Sequence, residues 1–357
     1  MSRAGVHRAE EGAGKAGRHH AEGGDASRAA VYAALDLGTN NCRLLMARPS
    51  CDGFRVVDAF SRIVRLGEGV SSTRRLADDA ISRTIEALKI CSHKMAHRGV
   101  KRARLIATEA CRAAENREEF MGRVEQETGL RLEIIDRETE AALAAAGCAA
   151  LADPKAESVV LFDIGGGSTE VVWLDAARQG RRSIRKRIRS WLSLPVGVVN
   201  LSERHGGRDV NADSYQRMVD EVKDHLVSFA ASLPKTGEPR DFHLLGTSGT
   251  VTTLAGVHLG LPRYDRRAVD GIWMSSDQVS TIVSRLLAMN YSERVASACI
   301  GVERADLVLS GCAIFDAIRH MFPSDRVRVA DRGLREGILM QLMVEDGVWH
   351  DRAVGAT

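Results

Sequence analysis

The sequence predicts an α/β fold of two similar lobes, each a mixed sheet covered by helices, with a cleft between them. Three observations lead there. A unit of strand, acid, glycine turn and strand occurs twice, as VYAALDLGTNNCRLLMARP from Val31 and as SVVLFDIGGGSTEVVWLD ending at Asp175. Helical and strand periodicities alternate after each copy, which is the pattern of a sheet with helices packed on it. The 357 residues are long for one hydrophobic core and comfortable for two.

Taken in order, the segment from Val31 reads as a strand, a turn at Gly38 and a second strand, hence a β-hairpin. Ile81, Ile85, Leu88 and Met95 recur at helical spacing between Asp78 and Arg98. RARLIAT reads as a strand, and Asn116 with Glu119 three residues later has the arrangement of a capping box opening another helix. The strand RLEIID and an alanine-rich helix from about Glu138 to Leu151 lead into the second hairpin. Met218, Val222, Leu226 and Phe229 share a helical face, and FHLLGTSGTVTTLAG reads as strand, polar glycine loop and helix start. VRVADRGLREGILMQLM repeats that order. An internal duplication is the simplest account, and it sets two similar loops facing each other across the cleft. The expected division is a disordered extension over 1–29, a first lobe over 30–138 plus 331–347, a second lobe over 139–330, and a tail over 348–357.

Composition narrows the function. Hydrophobic residues make up 44% and charged residues 27%, and no apolar run approaches the roughly 20 residues that cross a bilayer. A membrane partner is therefore not expected. A formal charge of +3 does not announce a nucleic-acid partner either, since recognition of a polyanion depends on where charge sits. Cys42, Cys51, Cys91, Cys111, Cys148, Cys299 and Cys312 are scattered and form no CxxC pair, which suits reduced thiols in the cytoplasm. His19 and His20 fall in the polar N-terminal segment and read as part of a solvated basic stretch.

Glycine-rich loops bind phosphate because residues without a Cβ let successive backbone N–H groups converge on oxygen atoms. Both hairpin turns have that composition. A dinucleotide fingerprint needs a helix after the turn, whereas Thr169 to Leu174 reads as a strand, and there is no Walker A sequence. One such turn alone is equally a tight hairpin, but two copies, each after an aspartate and each with hydroxyl residues, favour phosphate binding. Asp36, Asp163 and Glu170 supply carboxylates beside these turns, suiting Mg2+ or Mn2+ held by a few protein oxygens plus phosphate and water. Singly they are ordinary turn formers. The loop Gly246 to Thr250, with Ser248 and Gly249, stands before a helix whose N–H groups could receive phosphate or merely be capped. Six arginines and Lys186 between Arg178 and Arg189 are a solvated basic segment or a guide for a polyanion.

The segments ALDLGTNNCRLL, FDIGGGSTEVV, SLPVGVVNL, LLGTSGTVTTLAG and DRGLREGIL, in this order, resemble the Ppx/GppA phosphatases, members of the actin, sugar kinase and heat-shock protein superfamily. RIVRLGEGV and IATEACRAAEN, with Arg62, Arg65, Thr108, Arg112 and Asn116, are similar to further family segments. The resemblance implies duplicated ribonuclease H-like lobes with an interdomain cleft. It implies water-mediated attack on a terminal phosphorus, with Glu140 matching the family's general base. Here the chain departs from the family pattern, carrying Arg137 and Thr139 where the family has a glycine and an acid. From the residues alone, Glu140 reads equally as an acid complementing a helix dipole.

The implied phosphate contacts are Gly38, Thr39, Asn40, Asn41 and Arg43 in the first turn. Gly165, Gly166, Gly167, Ser168 and Thr169 supply them in the second, and Gly246, Ser248, Gly249 and Thr250 in the third. Arg65 and Arg112 are candidates for guiding substrate, and Arg43 either reaches the anion or pairs with a surface acid. The expected partner is inorganic polyphosphate, with guanosine pentaphosphate as the alternative and a homodimer as the assembly. A sugar kinase and a non-catalytic nucleotide-regulated scaffold are readings of other classes. Longer relatives append an HD-like helical region, so limited processivity is expected of this shorter form; its one HD dipeptide, His350-Asp351, has no partner motif.

Overall fold

The computed structural model describes residues 30–51, 53–175, 184–233 and 242–348. The extension at 1–29 with His19 and His20, the terminal His350 and Asp351, and Arg178, Arg181 and Arg182 lie outside the described residues.

Two sheets carry the fold. The first contains β1 (Val31–Leu37), β2 (Asn41–Ser50), β3 (Gly53–Ile63), β4 (Val100–Ala107) and β5 (Glu133–Ile134), in the order β3-β2-β1-β4-β5. The second contains β6 (Ser158–Ile164), β7 (Thr169–Asp175), β8 (Ile188–Leu194), β9 (Phe242–Thr247), β10 (Trp273–Ser275) and β11 (Arg326–Ala330), in the order β10-β11-β9-β6-β7-β8. Read from β8, the second order repeats the first, with β10 added at the edge. In both sheets the first three strands form an antiparallel meander and the next two run parallel. This is the duplicated ribonuclease H-like arrangement expected from the two hairpins.

The central strands β1 and β6 are apolar along their length because each sheet is covered on both faces. Leu35 and Leu37 of β1 pack with Ile81, Ile85 and Leu88 of α1 (Asp78–His97), a core shared by Phe120 and Val124 of α3 (Arg117–Thr128). On the opposite face Tyr32 and Ala34 meet Ile338, Leu339 and Leu342 of α10 (Leu334–Glu345). In the second sheet Val160 and Phe162 of β6 share a core with α6 (Ala212–Ser232), α7 (Ser248–His258), α8 (Ser276–Ala288) and α9 (Val308–Met321). Val159 and Leu161 face Ala141, Ala145 and Cys148 of α4 (Arg137–Cys148). The period-two alternation thus divides each central strand between two cores.

The covering helices α4 and α10 also pack on one another, which joins the sheets. They approach at backbone distance: a Cβ on Gly147 would stand 1.9 Å from the Gly333 carbonyl oxygen, and one on Gly337 would stand 2.0 Å from that of Leu143.

Two local expectations are corrected. Asn116 does stand at the start of α3, but its side chain makes no cap; it accepts from Leu76 N–H (2.8 Å) and donates to Leu76 C=O (3.0 Å), tying two segments together. The polar glycine loop expected over Gly246 to Thr250 does not exist. Gly246 is in β9, and helix α7 begins at Ser248, so strand passes directly into helix.

Candidate active site

The two duplicated turns meet in one cavity of 440 Å3, bordered by residues of both sheets. Each turn is closed by the same bond, Gly38 N–H to Asn41 C=O and Gly165 N–H to Ser168 C=O, both 2.9 Å. Their tips touch. A Cβ on Gly166 would lie 2.9 Å from Thr39 Cβ and one on Gly167 only 2.6 Å from Thr39 Oγ1, so a side chain at either position would force the facing turn to shift.

The backbone around both tips is arranged to leave donors open. In the first turn the Asn40 carbonyl accepts from Val64 and Arg65, and the Thr39 carbonyl accepts from Gly67. In the second, the carbonyls of Gly165 and Gly166 accept from Val198 and Val199, the first residues of α5 (Val198–His205), at 3.0 and 2.8 Å. Among the described residues the N–H groups of Thr39, Asn40, Gly166 and Gly167 have no backbone acceptor. A water-sheltered concavity lined by such N–H groups is a site for an anion. Arg65, with a φ of +49°, turns the chain between the N–H groups that meet Asn40 C=O and the Gly67 N–H that meets Thr39 C=O.

Carboxylates surround the turns. Asp36 pairs across its hairpin with Arg43, and Asp163 occupies the same place in the second hairpin but pairs with Glu170. The duplication therefore kept the aspartate and exchanged the opposite charge. Burial raises the pKa of all three acids. It takes Asp163 to about 6, with the charge of Asp36 adding to the rise, and Glu140 and Asp163 add to the rise at Glu170. Glu170 also accepts from Ser193 Oγ at 2.8 Å.

Glu140 borders the cavity from the first turn of α4, whereas Glu138, two residues earlier, does not. Burial raises its pKa to about 7 against the opposing charge of Arg112, and the charges of Asp36 and Asp163 add to the rise. Arg112 Nη2 lies 2.7 Å from Glu140 Oε2 and 2.9 Å from Glu109 Oε2. The Glu140 contact is close without hydrogen-bond alignment, so Oε2 retains an unshared lone pair.

Not every residue singled out from the sequence reaches the cavity. Gly38, Thr39, Asn40, Asn41, Arg43, Gly165, Gly166, Gly167, Ser168, Ser248, Gly249 and Thr250 border it, as do Asp36, Asp163 and Glu170. Gly246 does not: it faces the Phe162 ring, where a Cβ would stand 2.5 Å away, so its glycine serves packing. Thr169 is buried in β7 and donates its hydroxyl to Val196 C=O at 2.7 Å. Arg65 is held by Asp306 at 3.0 Å and Arg112 by its acids, and neither side chain borders the cavity.

Arg304, Arg335, Arg266 and Asp331 do border it and carried no sequence assignment. A Cβ on Gly249 would lie 3.9 Å from Arg43 Nη2 and 4.0 Å from Arg304 Cζ, so two cations from opposite lobes converge on the start of α7. Arg335 and Asp331 lie in DRGLREGIL, a segment whose pattern was visible but whose side-chain directions were not.

A model of the Ppx/GppA phosphatase family matches residues 47–346. The chain belongs to this family. Exopolyphosphatase 2 of Mycobacterium tuberculosis is 29% identical over 328 residues, spanning 87% of this chain and 98% of its own. The solved Aquifex aeolicus Ppx/GppA family member is 30% identical with a TM-score of 0.72, covering 89% of this chain and 98% of its own. An exopolyphosphatase from Cytophaga hutchinsonii, 24% identical over 89% of this chain and 99% of its own, shares the fold with a TM-score of 0.77. As a Ppx/GppA phosphatase the chain is an enzyme of a generally metal-dependent family. Among the described residues no helix is long and apolar enough to cross a membrane.

Proposed function

We propose that this phosphatase is an exopolyphosphatase, hydrolysing the terminal phosphoanhydride of inorganic polyphosphate. The observation that carries the proposal is the pair of touching turns whose tip N–H groups are left without backbone acceptors. Such N–H groups neutralise phosphate charge without bringing a side chain that competes for space. In this reading Gly38 to Asn41 and Gly165 to Ser168 hold the terminal phosphates, while Arg43 and the start of α7 receive the next group.

Asp36, Asp163 and Glu170 fit a divalent cation by the chemistry of their donors. They are enclosed acids that repel one another and have no salt bridge among the described residues. Among the described residues no three metal-ligating side chains gather closely enough to form a complete cage. A bound Mg2+ or Mn2+ would therefore take the rest of its shell from water and substrate oxygens. When bound, such an ion supplies charge neutralisation and alignment. Glu140 takes the proton of a water as its oxygen bonds to the terminal phosphorus; the bridging P–O bond breaks, and orthophosphate and a chain one unit shorter leave.

The test is phosphate release from polyphosphates of graded length and from guanosine pentaphosphate, with Mg2+ or Mn2+. Polyphosphate as the better substrate by kcat/KM is expected. Tyr264, Leu307 and Val308 also border the cavity and favour a second reading as a guanosine pentaphosphate 5′-phosphohydrolase, because an aromatic ring and apolar side chains suit a nucleoside. A higher kcat/KM for the pentaphosphate would establish it, and no release from either substrate would leave the scaffold reading.

The pH profile supplies a further prediction. A base must be unprotonated, so kcat/KM rises with pH along a limb centred near 7, a value belonging to Glu140 together with its coupled acids. Arg112→Gln removes the charge that opposes the rise and moves the limb to higher pH; an unmoved limb would exclude Glu140 as the titrating group. On family likeness we extend the reading to a cytoplasmic homodimer, which sedimentation tests, with lobes divided at 30–138 plus 331–347 and 139–330.

A further inference from the structure

A second, smaller cavity of 230 Å3 lies on the other side of the helix that carries Glu140. Glu138 and Ala142 of α4 form one wall, and Arg185, Arg189 and Trp191 form the other. The side chains of α4 thus alternate between two spaces: Glu140 faces the active-site cavity and Glu138, two residues away, faces this one.

The second space is basic for a structural reason. The turn Ile184–Arg187 puts Arg185 and Lys186 at the surface, and neither has an ion-pair partner among the described residues. Arg189, the next outward position on β8, is exposed and meets Asp175 at 2.7 Å. Glu138 is the one acid on the rim, and it too forms no ion pair among the described residues. Arg185 lies close enough to α4 for its charge to add, last after the Thr139 hydrogen bonds and the charge of Arg112, to what holds the helix-capping Asp136 below the usual carboxylate range, and it does not border the active-site cavity. Arg185 and Lys186 thus carry two exposed positive charges that no ion pair neutralises among the described residues, beside the paired Arg189.

We infer that Arg185, Lys186 and Arg189 form an exosite for the distal part of a long polyphosphate chain whose terminal phosphates occupy the main cavity. This rests on the exopolyphosphatase reading and adds a source of chain-length preference. A chain long enough to touch both places binds the second intramolecularly, at an effective concentration set by its own length, and a short one gains nothing. Exposed cations attract such a chain over about a Debye length, roughly 10 Å at 0.1 M salt. Trp191, 36% exposed, is a lone indole rather than the series of stacking rings that single-stranded nucleic acid uses, so the observations favour the aromatic-free polyanion.

The experiment compares the full chain with its Arg185→Glu/Lys186→Glu variant. For polyphosphate of several hundred units KM is expected to rise about tenfold and its salt dependence to weaken, while kcat and tripolyphosphate kcat/KM stay within about twofold. Direct binding of long polyphosphate in an inactive Glu140→Gln background is expected to weaken equally. An equal long-chain KM in both proteins overturns the exosite, with tripolyphosphate hydrolysis intact to show that the active-site reading survives. Loss of long-chain binding on charge reversal in a protein that hydrolyses no polyphosphate overturns the hydrolytic reading instead. Single-stranded RNA of equal charge that binds the site more tightly than polyphosphate would reassign it to nucleic acid.

Discussion

Glu140→Gln is expected to lower kcat about a hundred- to ten-thousand-fold, the usual contribution of a positioned general base, while phosphate binding and the fold persist. Glutamine keeps the shape but cannot take a proton from water. Its neighbour gives the control: Glu138 borders the other cavity, so Glu138→Gln should leave kcat within about twofold. Unchanged turnover in Glu140→Gln would remove Glu140 from the mechanism. Stability should move oppositely to activity. Because the folded protein holds the Glu140 proton to about pH 7 and the unfolded chain loses it near 4.5, this group's contribution to stability falls as pH rises through that window. Glutamine removes that loss, so thermal midpoints at pH 8 should be equal or higher than those of the unsubstituted chain. A lower midpoint would mean that the lost activity reflects damage to the fold.

The second large effect is on stability. Gly337→Ala is expected to destabilise the protein by about 3 kcal/mol and lower the thermal midpoint by roughly 4 °C. An added Cβ would stand 2.0 Å from the Leu143 carbonyl oxygen, and backbone cannot yield as a flexible side chain would. The helices α4 and α10 must then separate, carrying Glu140 and the α10 residues Arg335 and Glu336 out of place. Gly147→Ala meets the Gly333 carbonyl oxygen and should act similarly, with the double variant less than additive because one displacement relieves both clashes. Calorimetry showing a loss below about 1 kcal/mol would mean the helices part easily. Gly122→Ala, at a helical position with nothing within 4 Å of the new atom, is the control and should be neutral or stabilising.

Both expectations concern residues whose types were visible in the chain but whose surroundings were not. Glu138 and Glu140 are alike in sequence, each an acid in a first helical turn. Which of them borders the cavity depends on which way α4 is rolled against the second sheet, and Ala141, Ala145 and Cys148 fix that roll by packing on β6 and β7. Gly246 was grouped with the phosphate loops because glycine beside threonine and serine reads as a loop. Its requirement is the ring of Phe162, which lies on the neighbouring strand and is remote in sequence. Arg304 gave no sequence signal, since a single arginine between Glu303 and Ala305 belongs to no repeating pattern; only folding sets it opposite Arg43.

What the chain alone determined is what repeats locally. The paired hairpins, their glycine tips, the leading aspartates and the buried central strands follow from residue type and spacing, because strand alternation and turn chemistry act over a few residues. Tertiary structure decided which carbonyls near the tips are occupied, and so which N–H groups stay open. It also decided which acid of α4 meets the cavity and which cations cross from one lobe to the other. Those outcomes depend on contacts between segments tens to hundreds of residues apart, whose geometry is set only when both sheets have packed against α4 and α10.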